Sequence, residues 1–353
     1  MKKKYFIIFT LLFCIILYIN IFKVSSLPND ESIKYKIILG RYLFYDTRLS
    51  YNQTKSCSSC HDPKFAFSDG YRQSSGADGY TLLRNAPSLL NVKYLTSFTW
   101  GDSTIKKLSQ QLLFPMFNQH PNELGWTNNE AEIIARFENL PIYITLFGKA
   151  FPKDRKPFLI KNFITAIANF EEQLVSFNSP YDLHLKGNKK ILNEQAIEGM
   201  KLFYSTQLGC SNCHHLQEPI KKANYYNTGL YNLNTDGSYP SKDQGLFEFT
   251  KNPKDKGKFR IPSLRNIMLT APYMHDGSVE TIEQIISIYQ RGGRLISNGD
   301  NVGDGKLNIN KSNLIKGFDL TTKEKENLIV FLSTLTDTSF LRNDNLLNPF
   351  NEN

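Results

Sequence analysis

Two stretches of this chain share one spacing: Cys57-Ser58-Ser59-Cys60-His61 and Cys210-Ser211-Asn212-Cys213-His214. Two thiols so placed can add across the vinyl groups of one haem, and the adjacent histidine then sits under the iron as its axial ligand. A zinc site would need four nitrogen or sulfur ligands converging from two knuckles, whereas here each pair is followed directly by His. The chain has only five Cys and six His in 353 residues. The motifs therefore read as two covalently bound haem c groups, with His61 on the first iron and His214 on the second.

The N-terminus carries Lys2, Lys3 and Lys4, an apolar run from Tyr5 to Phe22, and the small residues Ser25-Ser26. That order reads as a secretory leader over 1–26, cleaved after Ser26, so the expected location is the periplasm. The run is long enough to span a bilayer, which keeps an uncleaved inner-membrane anchor as the alternative. Cys14 belongs to the leader, and the four remaining thiols are all committed to haem. The net charge of +9 includes four leader lysines, Lys23 being the fourth. What remains is modest, and no arginine cluster or nucleic-acid motif accompanies it, so nucleic acid is not an expected partner.

The elements that must position these motifs repeat as well. Gly40-Arg41-Tyr42-Leu43-Phe44-Tyr45 and Gly199-Met200-Lys201-Leu202-Phe203-Tyr204 each lie shortly before their Cys-x-x-Cys-His. The fold class is thus mostly α, with two cytochrome c-like domains related by internal duplication. The expected bounds are 27–185 for the first haem c domain, 186–345 for the second, and a tail over 346–353. An apolar stripe from Ile160 through Phe163, Ile164, Ile167, Phe170 and Leu174 to Phe177 predicts one helix ending before Pro180. A last helix starts at the capping box Thr321/Glu324 and carries Leu328, Phe331, Leu332 and Leu335. No alternating run is long enough to nucleate a sheet, and 292–305 reads as a long surface loop.

A haem held by two thioethers and one His either takes a second protein ligand or keeps that face open for chemistry. Between His61 and the boundary the candidate ligands are Met116, His120 and His184. In the stretch after His61 stand Arg84-Asn85-Ala86-Pro87, Trp100, Gln111, Pro115 and His120-Pro121-Asn122-Glu123-Leu124-Gly125. These segments resemble bacterial di-haem cytochrome c peroxidases and the MauG/MbnH-like di-haem oxidases. The run from Pro115 to Gly125 is most similar to the MbnH-like branch. The resemblance implies that the first haem binds peroxide beside Gln111 and an acid/base Glu123, with Trp100 between the haems. Glu123 would carry a proton from one peroxide oxygen to the other, because O–O heterolysis stalls unless the departing oxygen is protonated. Gln110 is the adjacent alternative to Gln111, and His120 reads as structural.

In the same family the sixth ligand of the second haem lies fourteen residues beyond the histidine of His275-Asp276-Gly277, which here is Tyr289. It is Met in the cytochrome c peroxidases and Tyr in MauG-like enzymes. Ile282, Ile285, Ile286 and Tyr289 share one helical face. Thioether favours reduced iron and phenolate favours high oxidation states, axial choice spanning roughly 0.8 V across haem proteins. Met274 reads as packing, and His275 as a hydrogen-bonding neighbour of the second haem. The resemblance also implies one Ca²⁺ between the haems, held by Asn85 with the carbonyls of Thr270 and Pro272, an oxygen-only set that suits this ion.

The resulting expectation is a di-haem peroxidase/oxidase. Hydrogen peroxide would be cleaved at the first haem, and the pair would oxidise a partner protein, which for the MbnH-like branch means a tryptophan of that partner. Two alternatives stay open: a cytochrome c peroxidase fed by a small electron-donor cytochrome c, and a plain di-haem electron-transfer cytochrome with Met116 or His120 closing the first iron.

Overall fold

The computed structural model describes residues 31–216, 223–240 and 242–351, so the expected leader and Cys14 lie outside the described residues. The chain is mostly helical. The first half contains α1 (Glu31–Tyr45), α2 (Leu108–Gln111), α3 (Leu113–Phe117), α4 (Glu130–Glu138), α5 (Pro141–Ala150) and α6 (Ile160–Glu171). The second half contains α7 (Pro180–Leu185), α8 (Glu194–Tyr204), α9 (Phe247–Thr250), α10 (Ile282–Arg291) and α11 (Thr322–Ser333). Strands are confined to two antiparallel ladders of two-residue strands. β1 (Tyr225–Tyr226) pairs β2 (Phe259–Arg260), and β3 (Leu295–Ile296) pairs β4 (Gly303–Asp304). Among the described residues, no helix is long and apolar enough to cross a membrane.

Two apolar cores form, one around α1, α5 and α6 and one around α8, α10 and α11. Each is organised by a crossing of two helices at a glycine. A Cβ built on Gly40 would lie 1.9 Å from the carbonyl oxygen of Ala166 and 2.8 Å from the Cβ of Phe170. A Cβ on Gly199 would lie 1.9 Å from the carbonyl oxygen of Asn327 and 2.8 Å from the Cβ of Phe331. The helix backbones touch there, and no residue with a side chain fits. Downstream of each glycine-bearing helix a short 3₁₀ turn, Cys57–Ser59 or Cys210–Asn212, carries the cysteines.

Three sequence expectations change. The helix expected to reach Phe177 ends at Glu171. Beyond it the backbone is taken by distant partners: Asn91 N–H donates to the Leu174 carbonyl at 2.6 Å, and Ser176 N–H donates to Asn91 Oδ1 at 2.9 Å. Leu174 remains fully buried without being helical. The loop at 292–305 contains the β3–β4 ladder, closed by the Arg291–Asp304 ion pair at 2.5 Å. The C-terminal segment from Ser339 is docked and is no loose tail. Phe340 and Leu346 are buried with Phe44, Phe67 and Phe170 of the first half. Arg41 Nε and Tyr45 Oη donate to the carbonyls of Leu347 and Leu346, at 2.6 and 2.7 Å.

The last helix starts as read and carries Leu328, Phe331 and Leu332, but it ends at Ser333, so Leu335 is buried just beyond it. Thr321 caps it and Glu324 returns the bond, Oε2 accepting from Thr321 N–H at 2.8 Å.

Candidate active site

At the first attachment turn, Cys57 and Cys60 carry free thiols beside His61. His61 Nδ1–H donates to the Phe67 carbonyl at 2.8 Å. That carbonyl is turned inward by left-handed conformations at two successive residues, Ala66 (φ 54°) and Phe67 (φ 59°). Both are fully buried, and Ser88 Oγ–H donates to the Ala66 carbonyl, so packing holds the strained turn. Burial lowers the pKa of His61. A neutral ring with Nδ1–H committed presents the Nε2 lone pair, the form a metal needs.

Glu123 reaches the same place from a folded loop. Leu124 N–H donates to the Pro115 carbonyl at 2.9 Å and Trp126 N–H to that of Met116 at 2.8 Å, which closes the loop at its base. Tyr51 N–H donates to the Leu124 carbonyl at 2.8 Å and ties the loop to the segment entering the attachment turn. Gly125 (φ +72°) is required, since its Cβ would lie 2.5 Å from the Tyr51 ring. Loss of water raises the Glu123 carboxyl to about 7, and no side-chain hydrogen bond offsets that among the described residues. Glu123 is half-buried, and its charge adds to the raised thiol pKa of both Cys57 and Cys60, whose first cause is burial.

The two glutamines separate cleanly. Gln110 is exposed and its Oε1 accepts from Lys106 and Lys107 N–H at 3.2 and 3.1 Å, capping α2. Gln111 is half-buried. Met116 is buried in the first core, His120 is exposed, and His184 sits on α7 with Nδ1 unpartnered.

At the second turn, His214 Nδ1 faces the Pro262 carbonyl at 3.3 Å, and burial lowers its pKa to about 4. Cys210, Cys213 and His214 line a largely apolar cavity of about 390 Å³. Tyr289 of α10 lines it too. Burial pushes its hydroxyl pKa up, the cysteines add to this, and the hydroxyl has no hydrogen-bond partner among the described residues. Met274 packs on the second core and also borders the cavity.

The remaining expected residues gather on another wall of this cavity: Asn85, Trp100, Thr270, Pro272 and His275. Trp100 Nε1–H donates to the Asn85 carbonyl at 2.9 Å. Asn85 N–H donates to the His275 carbonyl at 2.8 Å, and Asn85 Nδ2 to that of Tyr71 at 2.9 Å. His275 stacks on Phe259 at 3.4 Å and its buried Nε2 has no partner among the described residues. Burial keeps its pKa low.

Two residues escaped the sequence reading. Arg260 is buried with no carboxylate at ion-pair distance among the described residues; its guanidinium lies 5.9 Å from the Trp100 ring centre and burial lowers its pKa to about 10. Only the β1–β2 pairing brings it there, so no local signal existed. Glu171 is 3 % exposed and its Oε2 has no partner. The signal there was available: it falls four and seven residues after Ile167 and Ile164, on the apolar stripe.

The residues fit haem at both turns. Each pairs two unbridged thiols with a half-buried, backbone-oriented imidazole, and the second faces an apolar cavity. A mostly helical frame with two Cys-x-x-Cys-His turns is the arrangement expected of a di-haem peroxidase. Comparison with known proteins agrees. The family model for di-haem cytochrome c peroxidase matches residues 34–190. The chain is 33% identical over 314 residues to cytochrome c551 peroxidase of Pseudomonas aeruginosa, covering 89% of this chain and 82% of that protein. It is 29% identical over 300 residues to the methylamine utilization protein MauG of Methylorubrum extorquens, covering 85% and 78%. A solved MauG-like protein associated with microbial copper homeostasis superposes with a TM-score of 0.85 at 42% identity, covering 90% of this chain and 93% of the other. This chain belongs to the di-haem cytochrome c peroxidase family, which implies two haem c groups.

Proposed function

We propose that the chain is a MauG-like di-haem peroxidase, exported to the periplasm, that cleaves hydrogen peroxide at the His61 site and oxidises a partner protein through the His214 site. The observation that carries this is Glu123, a carboxyl with no hydrogen bond among the described residues, raised to about 7 by burial and felt electrostatically at Cys57 and Cys60. Haem, when bound, supplies the electrons that break the O–O bond. Glu123 takes a proton from one peroxide oxygen and returns it to the other, which leaves as water. Gln111 orients the peroxide. Trp100, held by the Asn85 carbonyl, carries electrons between the sites. Tyr289 would supply an oxygen donor to the second haem's iron, the Arg260 guanidinium would offset that haem's acidic groups, and His275 would offer its Nε2 as a hydrogen-bonding group in the same cavity. Asn85 with the Thr270 and Pro272 carbonyls holds Ca²⁺.

The organisation we propose is a leader over 1–26 and two duplicated haem c units, 27–185 and 186–345, each with its cysteines joined to haem by thioethers. The matching crossings at Gly40 and Gly199 support it. The exposure of His120 and the burial of Met116 in the apolar core favour an open first iron over a plain electron-transfer cytochrome.

The alternative is a peroxidase that draws electrons from a small cytochrome c, the activity in the names of several relatives. Incubating the haem-loaded protein with peroxide and, in separate reactions, a reduced cytochrome c or the product of a neighbouring gene, followed by mass analysis, separates the two. The proposal expects an oxidised residue in the partner protein. Steady oxidation of the cytochrome with the partner unchanged would replace it with the alternative.

A further inference from the structure

The two glycine crossings set a residue-by-residue register between α6 and α11. Gly40 meets Ala166 and Phe170 where Gly199 meets Asn327 and Phe331. In this register Ile167 corresponds to Leu328, and Glu171 to Leu332. Leu328 and Leu332 both line the second haem cavity. The counterpart wall in the first unit therefore bears a carboxyl where the second bears an isobutyl group. From this geometry we infer that Glu171 faces the first haem, and that its carboxyl takes up a proton when that iron is reduced.

Three observations support this. Glu171 is 3 % exposed, with Oε2 lacking any hydrogen-bond partner, a costly arrangement that a polar pocket occupant would relieve. Burial and then Glu171 raise the pKa of the Cys57 thiol, so the carboxyl lies close to the attachment turn. Burial, with a smaller push from Glu172, raises Glu171 itself to about 8. The inference rests on the reading that Cys57, Cys60 and His61 hold a haem.

The titratable neighbours are Glu172 on its own helix and Cys57 across from it, and Cys57 is felt in turn by Cys60 and Glu123. From α1, Tyr45 lies against Phe170 with its hydroxyl given to the Leu346 carbonyl, and Arg41 Nε is given to that of Leu347. Helix α2, which also touches α6, has no titratable side chain. One electron arriving at the iron, from an electrode or a reduced donor protein, adds one negative charge to a dry pocket. One proton from water, bound by the Glu171 carboxylate, offsets it.

The test is spectroelectrochemical titration of both haems across pH 5–9 in Glu123→Gln chains, so that Glu123 adds no proton of its own, with and without Glu171→Gln. Glu171→Leu is the second variant, since it restores the residue found in the other unit. The expected result is a first-haem potential that falls as pH rises through the neutral range while Glu171 is present. That slope disappears in both variants, and the second haem is unmoved by either. A slope that persists in Glu171→Gln overturns the inference and leaves the haem reading intact. Mass analysis showing no haem on Cys57 and Cys60 overturns both.

Discussion

Gly40 presses so closely on Ala166 that a methyl group built on it would stand 1.9 Å from the carbonyl oxygen, and Gly199 stands in the same relation to Asn327. Backbone contact at these two points aims each helix at its cysteine turn. Alanine at either glycine must push the helices apart, at a cost of about 1–3 kcal/mol for an overpacked core. Denaturant unfolding of Gly40→Ala and Gly199→Ala checks this. Values within about 0.5 kcal/mol of the parent, the size of an ordinary surface change, would mean that the crossings relax freely.

In the proposed reaction Glu123 is the group that moves the proton during peroxide cleavage. Glu123→Gln keeps the shape and both haems but cannot carry the proton, and general acid–base assistance is worth about 10²–10⁴-fold. Stopped-flow mixing with peroxide should show a loss in that range. Unchanged kinetics would remove Glu123 from the reaction.

The same residue sets a pH profile. Burial raises its pKa to about 7, and only the ionised carboxylate can take the first proton. The peroxide rate should rise with pH up to about 7 and level above it. Glu123→Gln should be flat over this range, and a profile shared by both chains would assign the titration elsewhere.

The proposed ligand role of Tyr289 would set the electronic character of the second centre. Tyr289→Met replaces an oxygen donor with a thioether and should raise the second haem's potential, with a low-spin, Met-ligated reduced spectrum. Tyr289→Phe should leave an open position that binds cyanide. If both variants keep the parent spectrum, Tyr289 is not a ligand.

Glu171 also links stability to pH. Its folded pKa of about 8 lies above the ordinary carboxylate value, so its contribution is fully present below the unfolded pKa. It is lost as pH rises from there towards 8, each pH unit in that window removing about 1.4 kcal/mol. Glu171→Gln should match the parent near pH 4 and be the more stable chain near pH 9, by a few kcal/mol. Parallel melting curves at both pH values would contradict the burial cost.

Much of the molecule was legible in the chain. The attachment turns, the last helix with its Thr321/Glu324 box, and the face carrying Ile282, Ile286 and Tyr289 are set by neighbours within a few residues. The end of α6 was not, because Asn91, some eighty residues earlier, takes the backbone of Leu174 and Ser176. The role of the C-terminus was equally hidden, since Phe340 and Leu346 complete a core begun by Phe44.

By itself the sequence determined the chemistry at the cysteines, the histidines that follow them and the repeated helical frame, because these depend on residue type and short spacing. Tertiary structure decided which polar groups lose water: Glu123 and Glu171 at the first turn, Arg260 and His275 at the second. Desolvation is a property of all the segments that close over a group, and those segments come from opposite ends of the chain.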